Sequence, residues 1–388
     1  MREPAYLNFG FDEYRQRLTG VRSRMEERGV DVLLVHTPEN IYYLSGYQTP
    51  GYYWYMALVV PLDREPVLIC PPHEESLVPA YSIFEKHTTY RDNADWMATT
   101  ASVLRELGCD RKRVGYEEMS WFFRVGEHDR LRALLPDAKL VPSSGTVEEG
   151  RMVKSPREIE YMRAAAVAAQ AGIRAGIQAA RIGATENDVA AEVARAQLEH
   201  GSEYSGLPPF ITSGQRSMLV HATWSGRELR RDEIVFLEVP GCINRYHAVM
   251  TRSVWLGDPP DLLLKATETN TEALRLAKEA IRPGVPAHVA FEAARDRIAV
   301  GNVGYRQGRR VAYSIGIAFP PGWDEGHIIS INDGERRPFQ AGMTFHLITT
   351  MRIPGLGAVG CSDTVLVTED GCETLTSGVP QGVTVKPA

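Results

Sequence analysis

The sequence lacks the features that mark membrane proteins and nucleic-acid-binding proteins. No apolar run approaches the roughly 20 residues of a membrane-spanning helix. The first residues lack the apolar core of a signal peptide. Lys and Arg number 43 against 49 Asp and Glu, a net charge of −6 without a basic tract. Because nucleic acid attracts clustered positive charge, neither nucleic acid nor a membrane is an expected partner.

The five cysteines are too few and too scattered to form a structural framework. They are Cys70, Cys109, Cys242, Cys361 and Cys372. Their number is odd and no two have CxxC spacing, which argues against a disulfide scaffold and against a cysteine zinc site. We therefore expect reduced thiols and a cytoplasmic location.

The chain is long enough for two domains. At 388 residues it exceeds the length at which single cores usually stop growing. Short β-branched runs at 31–36 and 66–70 predict buried strands. Apolar residues at helical spacing predict helices at 11–29 and 93–107. This alternation predicts an α/β N-terminal domain over residues 1–148.

A second domain is predicted over residues 149–388. Ser155 and Glu158 form a capping box around Pro156, so a long helix should begin there. The remaining pattern predicts helices ending at His200 and spanning 260–281 and 286–299, with strands at 233–239, 247–256, 311–318, 343–353 and 362–368. Helices alternating with antiparallel strands predict an α+β domain.

The segment from Leu237 to Arg252 is the most informative part of the sequence. It predicts a strand, a turn at Gly241, and a second strand that ends in a Thr-Arg pair. This frame resembles the metal-binding hairpin of the creatinase/prolidase (pita-bread) family. The peptidases of that family have two Asp ligands here, whereas this chain has Glu238 and Val249.

Four further motifs resemble the same family and follow its order along the chain. They are the segments 37–47, 152–158, 342–345 and 363–371. Together with the hairpin they are spread from residue 37 to residue 371, so the resemblance covers nearly the whole chain. The resemblance implies an α/β N-terminal domain followed by an α+β pita-bread catalytic domain.

The resemblance also implies five metal-ligand positions, and only one of them holds a strong ligand here. These positions carry Glu238, Val249, Tyr313 or Ser314 (depending on the alignment), Ile348 and Ser362. Two neighbouring divalent ions need several oxygen ligands, and Val and Ile side chains offer none. We therefore predict no metal and no other cofactor.

Three segments are similar to ectoine hydrolases, which like creatinase are metal-independent members of the family. They are 237–247, 313–323 and 342–346. The loop at 46–55 departs from the ectoine hydrolase pattern, so the resemblance leaves the exact substrate open.

Four residues are predicted to take part in catalysis: His221, Glu238, His247 and His346. The resemblance places His221 at the reacting group, and a histidine pKa near ~6.5 suits proton transfer. Glu238 interrupts an apolar strand, so it needs a partner, either Arg245 or Arg252 or a cationic substrate. We favour the substrate. His247 and His346 are either site residues or hydrogen-bonded core histidines.

Six further residues are predicted to bind substrate: Tyr246, Arg252, Tyr313, Asp363, Tyr52 and Trp54. Either Arg252 or a group from the N-terminal domain of the partner subunit would hold a substrate carboxylate. Asp363 would orient a histidine or cap a strand. Tyr246 and Tyr313 are as well explained by packing. Tyr52 and Trp54 belong either to an interface cluster or to an aromatic wall around a delocalised cation.

The predicted function is metal-independent hydrolysis of an amidine-type C–N bond in a small zwitterion. An amidinium carbon is already electrophilic, which reduces the need for a metal. The alternatives are a creatinase-like amidinohydrolase, an Xaa-Pro aminopeptidase or dipeptidase, a lyase acting on a small zwitterion, and a non-catalytic family member. The resemblance further implies a homodimer in which the N-terminal domain of one subunit contributes to the site of the other.

Overall fold

The computed structural model describes residues 1–91, 94–304 and 310–387. They form two compact units, which divide after Arg151. The predicted boundary was residue 148, and the short helix that begins there belongs to the first unit. Among the described residues, no helix has both the length and the hydropathy needed to cross a membrane.

The first unit is an α/β domain built on a six-stranded sheet of order β4-β3-β2-β1-β5-β6. Its strands are β1 Val32–Val35, β2 Ala57–Pro61, β3 Val67–Cys70, β4 His87–Thr89, β5 Arg113–Tyr116 and β6 Lys139–Pro142. Its helices are α1 Phe11–Glu27, α2 Pro38–Ser45, α3 Leu77–Tyr81, α4 Trp96–Glu106, α5 Val125–Leu134 and α6 Glu148–Arg151, with a 3-10 turn at Pro72–Glu74. The predicted α/β class is confirmed.

The second unit combines four helices with strands that are mostly antiparallel. The helices are α7 Pro156–Ala179, α8 Glu186–Glu199, α9 Asp261–Ala280 and α10 His288–Gly301, with a 3-10 helix at Gly214–Met218. The strands are β7 Phe210–Ser213, β8 Glu233–Ile243, β9 Tyr246–Leu256, β10 Arg310–Ser314, β11 Ser330–Asn332, β12 Thr344–Ile348, β13 Met351–Ile353, β14 Gly357–Val359, β15 Ser362–Val367, β16 Cys372–Thr374 and β17 Val383–Lys386.

The main sheet of this unit has the order β11-β10-β12-β15-β9-β8-β7, and β13 and β14 form a separate two-stranded sheet. The predicted strand at 343–353 is therefore two strands in different sheets. One face of the main sheet packs against α7 and α8, where Leu237, Val239 and Met250 join the buried side chains of both helices. The capping box predicted at the start of α7 is present, with Ser155 and Glu158 each bonding the other's backbone N–H.

The turn of the central hairpin lies at Asn244 and Arg245, and the predicted turn at Gly241 is wrong. Both turn residues have positive φ, at 47° and 64°, as two-residue type I′ hairpins require. Gly241 lies within β8, where a Cβ atom would come within 1.9 Å of the Ala165 carbonyl oxygen of α7. The glycine is needed for close packing of strand against helix.

Candidate active site

The register of the main sheet brings the former ligand positions onto one face. Glu238 lies opposite Thr251, Thr251 lies opposite Ser362, and Ser362 lies opposite Ile348. Directly opposed residues in antiparallel strands share a face and stand about 5 Å apart. Val249 lies two residues before Thr251 and therefore points to the same face.

The same face carries Tyr313 and His346. His346 lies two residues before Ile348, and Tyr313 is its cross-strand partner. Ser314 points away, and its hydroxyl bonds to Glu325 at 3.2 Å. Of the two residues that the sequence left open for the histidine-ligand position, Tyr313 therefore lies on the face of Glu238 and Ser314 does not.

Glu238 is a half-buried carboxylate without a protein partner. Throughout the described residues, no group forms a hydrogen bond or salt bridge with its side chain. Burial raises its pKa to about 7, and the positive charge of Arg352 opposes this rise. Arg245 donates to the Ala318 carbonyl oxygen and Arg252 pairs with Asp363. The predicted alternative, a salt bridge between Glu238 and either arginine, is therefore wrong.

A chain of hydrogen bonds crosses the face beside Glu238. The indole Nε1 of Trp323 donates to the Tyr313 hydroxyl at 2.8 Å, and that hydroxyl lies 2.7 Å from His346 Nδ1. His346 Nε2 lies 2.6 Å from Ser362 Oγ, which donates to Thr251 Oγ1 at 2.7 Å. Because the Ser362 hydroxyl donates its one proton to Thr251, it must accept from Nε2–H of a neutral His346, and Nδ1 must then accept from the Tyr313 hydroxyl.

Burial keeps this chain uncharged. It lowers the pKa of His346 to about 3, so the imidazole is neutral at physiological pH. The pKa of Tyr313 is raised well above its usual value, first by burial and then by the nearby negative charge of Glu238. Glu238 is therefore the only group of this row that ionises near neutral pH.

His221 lies at the edge of this face, on the loop after the 3-10 helix. Its side chain is exposed, and its ring centroid lies 5.3 Å from that of Phe210. Phe210 is the cross-strand partner of Glu238, and its ring also packs against Trp323 at 5.2 Å. The structure thus brings His221 to the same region as Glu238 and leaves it accessible to water.

His247 is a buried histidine with both ring nitrogens engaged by the backbone. Nδ1 lies 3.0 Å from the Arg245 carbonyl oxygen, and Nε2 accepts the Gly206 N–H at 2.9 Å. Burial and then the neighbouring Arg245 lower its pKa to about 3. This geometry favours the alternative of a hydrogen-bonded core histidine that holds the hairpin in place.

Arg252 and Asp363 lie on the opposite face, which corrects their prediction as substrate-binding residues. Arg252 donates to Asp363 Oδ1 at 2.9 Å, and its other N–H groups reach four backbone carbonyls. Asp363 also accepts from Lys278 Nζ at 2.6 Å. Both side chains are buried. Because every N–H of Arg252 is used within the fold, it has none to offer a substrate carboxylate.

Tyr246 also lies on the helix-covered face, and its prediction as a substrate contact is likewise corrected. It is fully buried, and its hydroxyl donates to Glu158 Oε1 at 2.6 Å. Its ring packs 5.8 Å from Tyr161 of α7. Tyr246 therefore fastens the hairpin to the first turn of α7.

Tyr52 and Trp54 belong to the first unit. Tyr52 packs edge-on against Phe122 at 5.5 Å, and Trp54 packs against His73 at 5.4 Å. The side chain of Trp54 remains partly exposed. Their role in substrate binding and the homodimer it depends on stay predictions.

The face does not suit the pair of divalent ions that the fold family implies. Glu238 supplies one carboxylate, and the other four positions supply two hydroxyls and two hydrocarbon side chains. No group of three His, Cys, Asp or Glu side chains in the described residues could hold a metal ion. The hydroxyls of Tyr313 and Ser362 are already engaged with His346.

Three site residues were missed by sequence reasoning. Trp323 and Phe210 lie at the edge of the face. Strand β7, which carries Phe210, was not predicted, and Trp323 was considered only as part of the motif at 313–323. The positive charge of Arg352 lowers the pKa of Glu238. Because residues 343–353 were predicted to form one continuous strand, Arg352 was not expected to lie near the site. Thr251 was noted in the sequence only as part of the Thr-Arg pair. The strand register shows that Thr251 faces the site and that Arg252 does not.

Comparison with known proteins agrees with this architecture. Residues 17–153 match the creatinase/prolidase N-terminal domain, and residues 160–369 match metallopeptidase family M24. The ectoine hydrolase of Halomonas elongata is 30% identical over 95% of this chain and 96% of its own length. An uncharacterised hydrolase/peptidase of Sinorhizobium fredii is also 30% identical, over 98% of this chain and 99% of its own.

Solved structures of peptidases share the fold. A dipeptidase from Mycobacterium ulcerans superposes with a TM-score of 0.83 at 25% identity, covering 98% of this chain and 100% of its own. A prolidase from Thermococcus sibiricus gives a TM-score of 0.85 at 22% identity, covering 97% and 100%. The chain belongs to metallopeptidase family M24, a hydrolase family, and carries the creatinase/prolidase N-terminal domain ahead of its pita-bread domain.

Proposed function

We propose that this protein hydrolyses an amidine-type C–N bond in a small zwitterion, as an ectoine hydrolase does with ectoine, without using a metal. The observation that carries the proposal is the unpaired, half-buried carboxylate of Glu238. A buried ionised group normally requires a partner, because removing it from water is costly. A cationic substrate would supply that partner when it binds.

Glu238 would hold the amidinium by accepting two of its N–H groups in charge-assisted hydrogen bonds. An amidinium carbon is electron-poor without a Lewis acid, so hydrocarbon at positions 249 and 348 is compatible with the reaction. The neutral chain from Trp323 to Thr251 would keep the face rigid around Glu238. These contributions position the substrate and require no metal-bound water.

His221 would act as the general base and acid. Its exposed ring would remove a proton from water as the oxygen attacks the amidinium carbon. The same proton would then pass to the leaving nitrogen as the C–N bond breaks, and the proton of the remaining hydroxyl would follow, so that amidinium and water give an amide and an ammonium group. The position of His221 beside Phe210, the neighbour of Glu238, supports this role.

A peptidase acting on Xaa-Pro bonds is the second candidate, favoured by the likeness to dipeptidases and prolidases. The donor set counts against it, since one carboxylate cannot hold two metal ions in the way that family M24 peptidases require. A creatinase-like amidinohydrolase differs from the first proposal only in its substrate and uses the same residues.

One experiment separates these candidates. Metal-stripped protein is incubated with ectoine, hydroxyectoine, creatine and Gly-Pro, and the products are followed by mass. We expect water to add to a cyclic amidine and open its ring, and we expect His221→Ala to reduce this turnover at least ~100-fold. His200→Ala, on the exposed end of α8, is the control. Cleavage of Gly-Pro after manganese is restored, with no amidine turnover, would instead support the peptidase.

A further inference from the structure

Glu186, the first residue of α8, is a fully buried carboxylate that accepts five hydrogen bonds. Its Oε1 accepts the backbone N–H of Ser213 at 2.8 Å and the Ser213 hydroxyl at 2.7 Å. Its Oε2 accepts the N–H of Ser225 at 3.0 Å, the Ser225 hydroxyl at 3.1 Å and an N–H of Arg216. These donors and the charge of Arg216 offset the cost of removing the carboxylate from water.

The partners of Glu186 lie on both sides of the loop that carries His221, which comprises residues 219–224. Arg216 belongs to the 3-10 helix that precedes this loop, and Ser225 follows it directly. A second N–H group of Arg216 donates to the carbonyl oxygen of Thr223, inside the loop, at 2.9 Å. Glu186 and Arg216 therefore fasten both ends of the loop to the first turn of α8.

Glu186 also fixes the strand against which His221 lies. Ser213 is the last residue of β7, and the same strand carries Phe210. The ring centroids of His221 and Phe210 are 5.3 Å apart, and Phe210 is the cross-strand partner of Glu238. One carboxylate thus joins the end of this strand to the end of the loop.

The middle of the loop gains little from burial. The side chains of Leu219, Val220 and His221 are exposed, so few apolar contacts hold them in place. The polar contacts at the two ends of the loop therefore decide where His221 stands.

We propose that Glu186 is the positioning residue of the general base: it holds the loop so that the imidazole of His221 stays beside Phe210 and Glu238. This inference rests on the proposed function. A displacement of about 1 Å at a catalytic group can lower a rate by about 100-fold. Glu186 is buried and acts on the reaction through His221.

The test uses two variants and one matched control. Glu186→Gln replaces one acceptor oxygen by an amide nitrogen, which can only donate. Arg216→Ala removes the bond to Thr223 and leaves the serine donors on Glu186, so it serves if the first variant fails to fold. The control is Asp188→Asn, which changes a carboxylate in the same turn of α8 that bonds to Thr185 at 2.8 Å. Thermal unfolding establishes that each protein is folded.

We expect Glu186→Gln and Arg216→Ala to lower kcat for ectoine by about 10–100-fold. KM should stay within about two-fold of wild type, because Glu238, the proposed partner of the cation, is unchanged. In the His221→Ala background, Glu186→Gln should cause no further loss, since a residue that acts through His221 has nothing left to position. Asp188→Asn should match wild type.

Hydrogen exchange provides a measurement that does not depend on turnover. The amides of residues 219–226 should exchange about 10-fold faster or more in Glu186→Gln, because the loop has lost its anchor. Asp188→Asn should leave their exchange unchanged.

Other results have distinct meanings. Unchanged exchange in the loop, an unchanged kcat, or an equal loss with and without His221 would overturn the role of Glu186 even if wild type hydrolyses ectoine. Faster exchange in Glu186→Gln together with no amidine turnover by wild type would support the anchoring of the loop and reject the proposed function.

Discussion

Glu238 on β8 and Thr251 on β9 are direct cross-strand partners. Burial raises the pKa of Glu238 to about 7, and Thr251 is the last residue of an uncharged chain of hydrogen bonds. The chain comprises Trp323, Tyr313, His346 and Ser362 before it reaches Thr251. This relationship distinguishes the face from a metal site, because the single charge lies beside neutral donors instead of among other carboxylates.

The ionised form of Glu238 should lower the free energy of unfolding at alkaline pH. Its folded pKa of about 7 lies above the 4.5 of an ordinary Glu, so the stability associated with its protonated form is complete below pH 4.5 and is lost as pH rises through 7. We expect Glu238→Gln to be about 1–2 kcal/mol more stable than wild type at pH 8 and nearly equal at pH 4, measured by urea unfolding.

The control for this effect is Glu373→Gln. The pKa of Glu373 is lowered by its hydrogen bonds with Arg163, so this variant should not gain stability at pH 8. The Glu238→Gln enzyme should also lose its substrate binding. A variant that was no more stable than wild type at pH 8 would show that Glu238 is not held in a costly environment.

Two buried tyrosines on opposite faces provide a matched pair. Tyr313→Phe removes the acceptor of the Trp323 N–H and the donor to His346 Nδ1, whereas Tyr246→Phe removes the bond to Glu158. Each should cost about 1–3 kcal/mol in unfolding free energy. Only Tyr313→Phe should lower kcat/KM, by about 10-fold or more. Equal activity in the two variants would place the hydrogen-bonded chain outside the site.

The ion pair of Arg252 and Asp363 should be structural. Arg252→Leu leaves the buried Asp363 with Lys278 as its remaining cation and deprives four backbone carbonyls of their donor, so it should destabilise the fold by about 3–5 kcal/mol. The double variant Arg252→Leu/Asp363→Leu should lose less than the sum of the single changes, since the two side chains are in contact. At temperatures where Arg252→Leu stays folded, KM should match wild type; a selective rise in KM would restore the substrate-binding role.

Metal removal should leave activity unchanged, since the face offers one carboxylate where a dinuclear site needs several ligands. Dialysis against a chelator, with metal content measured before and after, checks this expectation. As a positive control, Val249→Asp combined with Ile348→Glu adds two carboxylates on the face of Glu238 and should create manganese binding detectable by calorimetry. Loss of activity on chelation of wild type would contradict the proposal.

The sequence predicted the fold class, because the ordered motifs determine it, and it identified Glu238 as a carboxylate in an otherwise apolar strand, which is where the structure has it. It could not predict which neighbours of Glu238 share its face, because that depends on strand register. A turn at Gly241 would have paired the strands differently, whereas the observed turn at Asn244 and Arg245 sets Glu238 against Thr251. Arg252 follows Thr251 directly, so it points to the opposite face.

Arg352 illustrates a second limit. The stretch from residue 343 to 353 is apolar enough to suggest one strand, but it changes sheets after Ile348. That change moves Arg352 onto a separate hairpin beside the site. Nothing in the local pattern signals it, because the packing of β14 against the 3-10 helix depends on contacts distant in sequence.

The indole of Trp323 has an electrostatic consequence. With the indole donating at one end and Ser362 donating to Thr251 at the other, the O–H and N–H dipoles from Trp323 to Ser362 point the same way, with their positive ends toward Thr251. Aligned dipoles add, so Thr251 should present a fixed positive potential to the strand opposite. This field would oppose part of the rise in the Glu238 pKa that burial causes, before any substrate arrives.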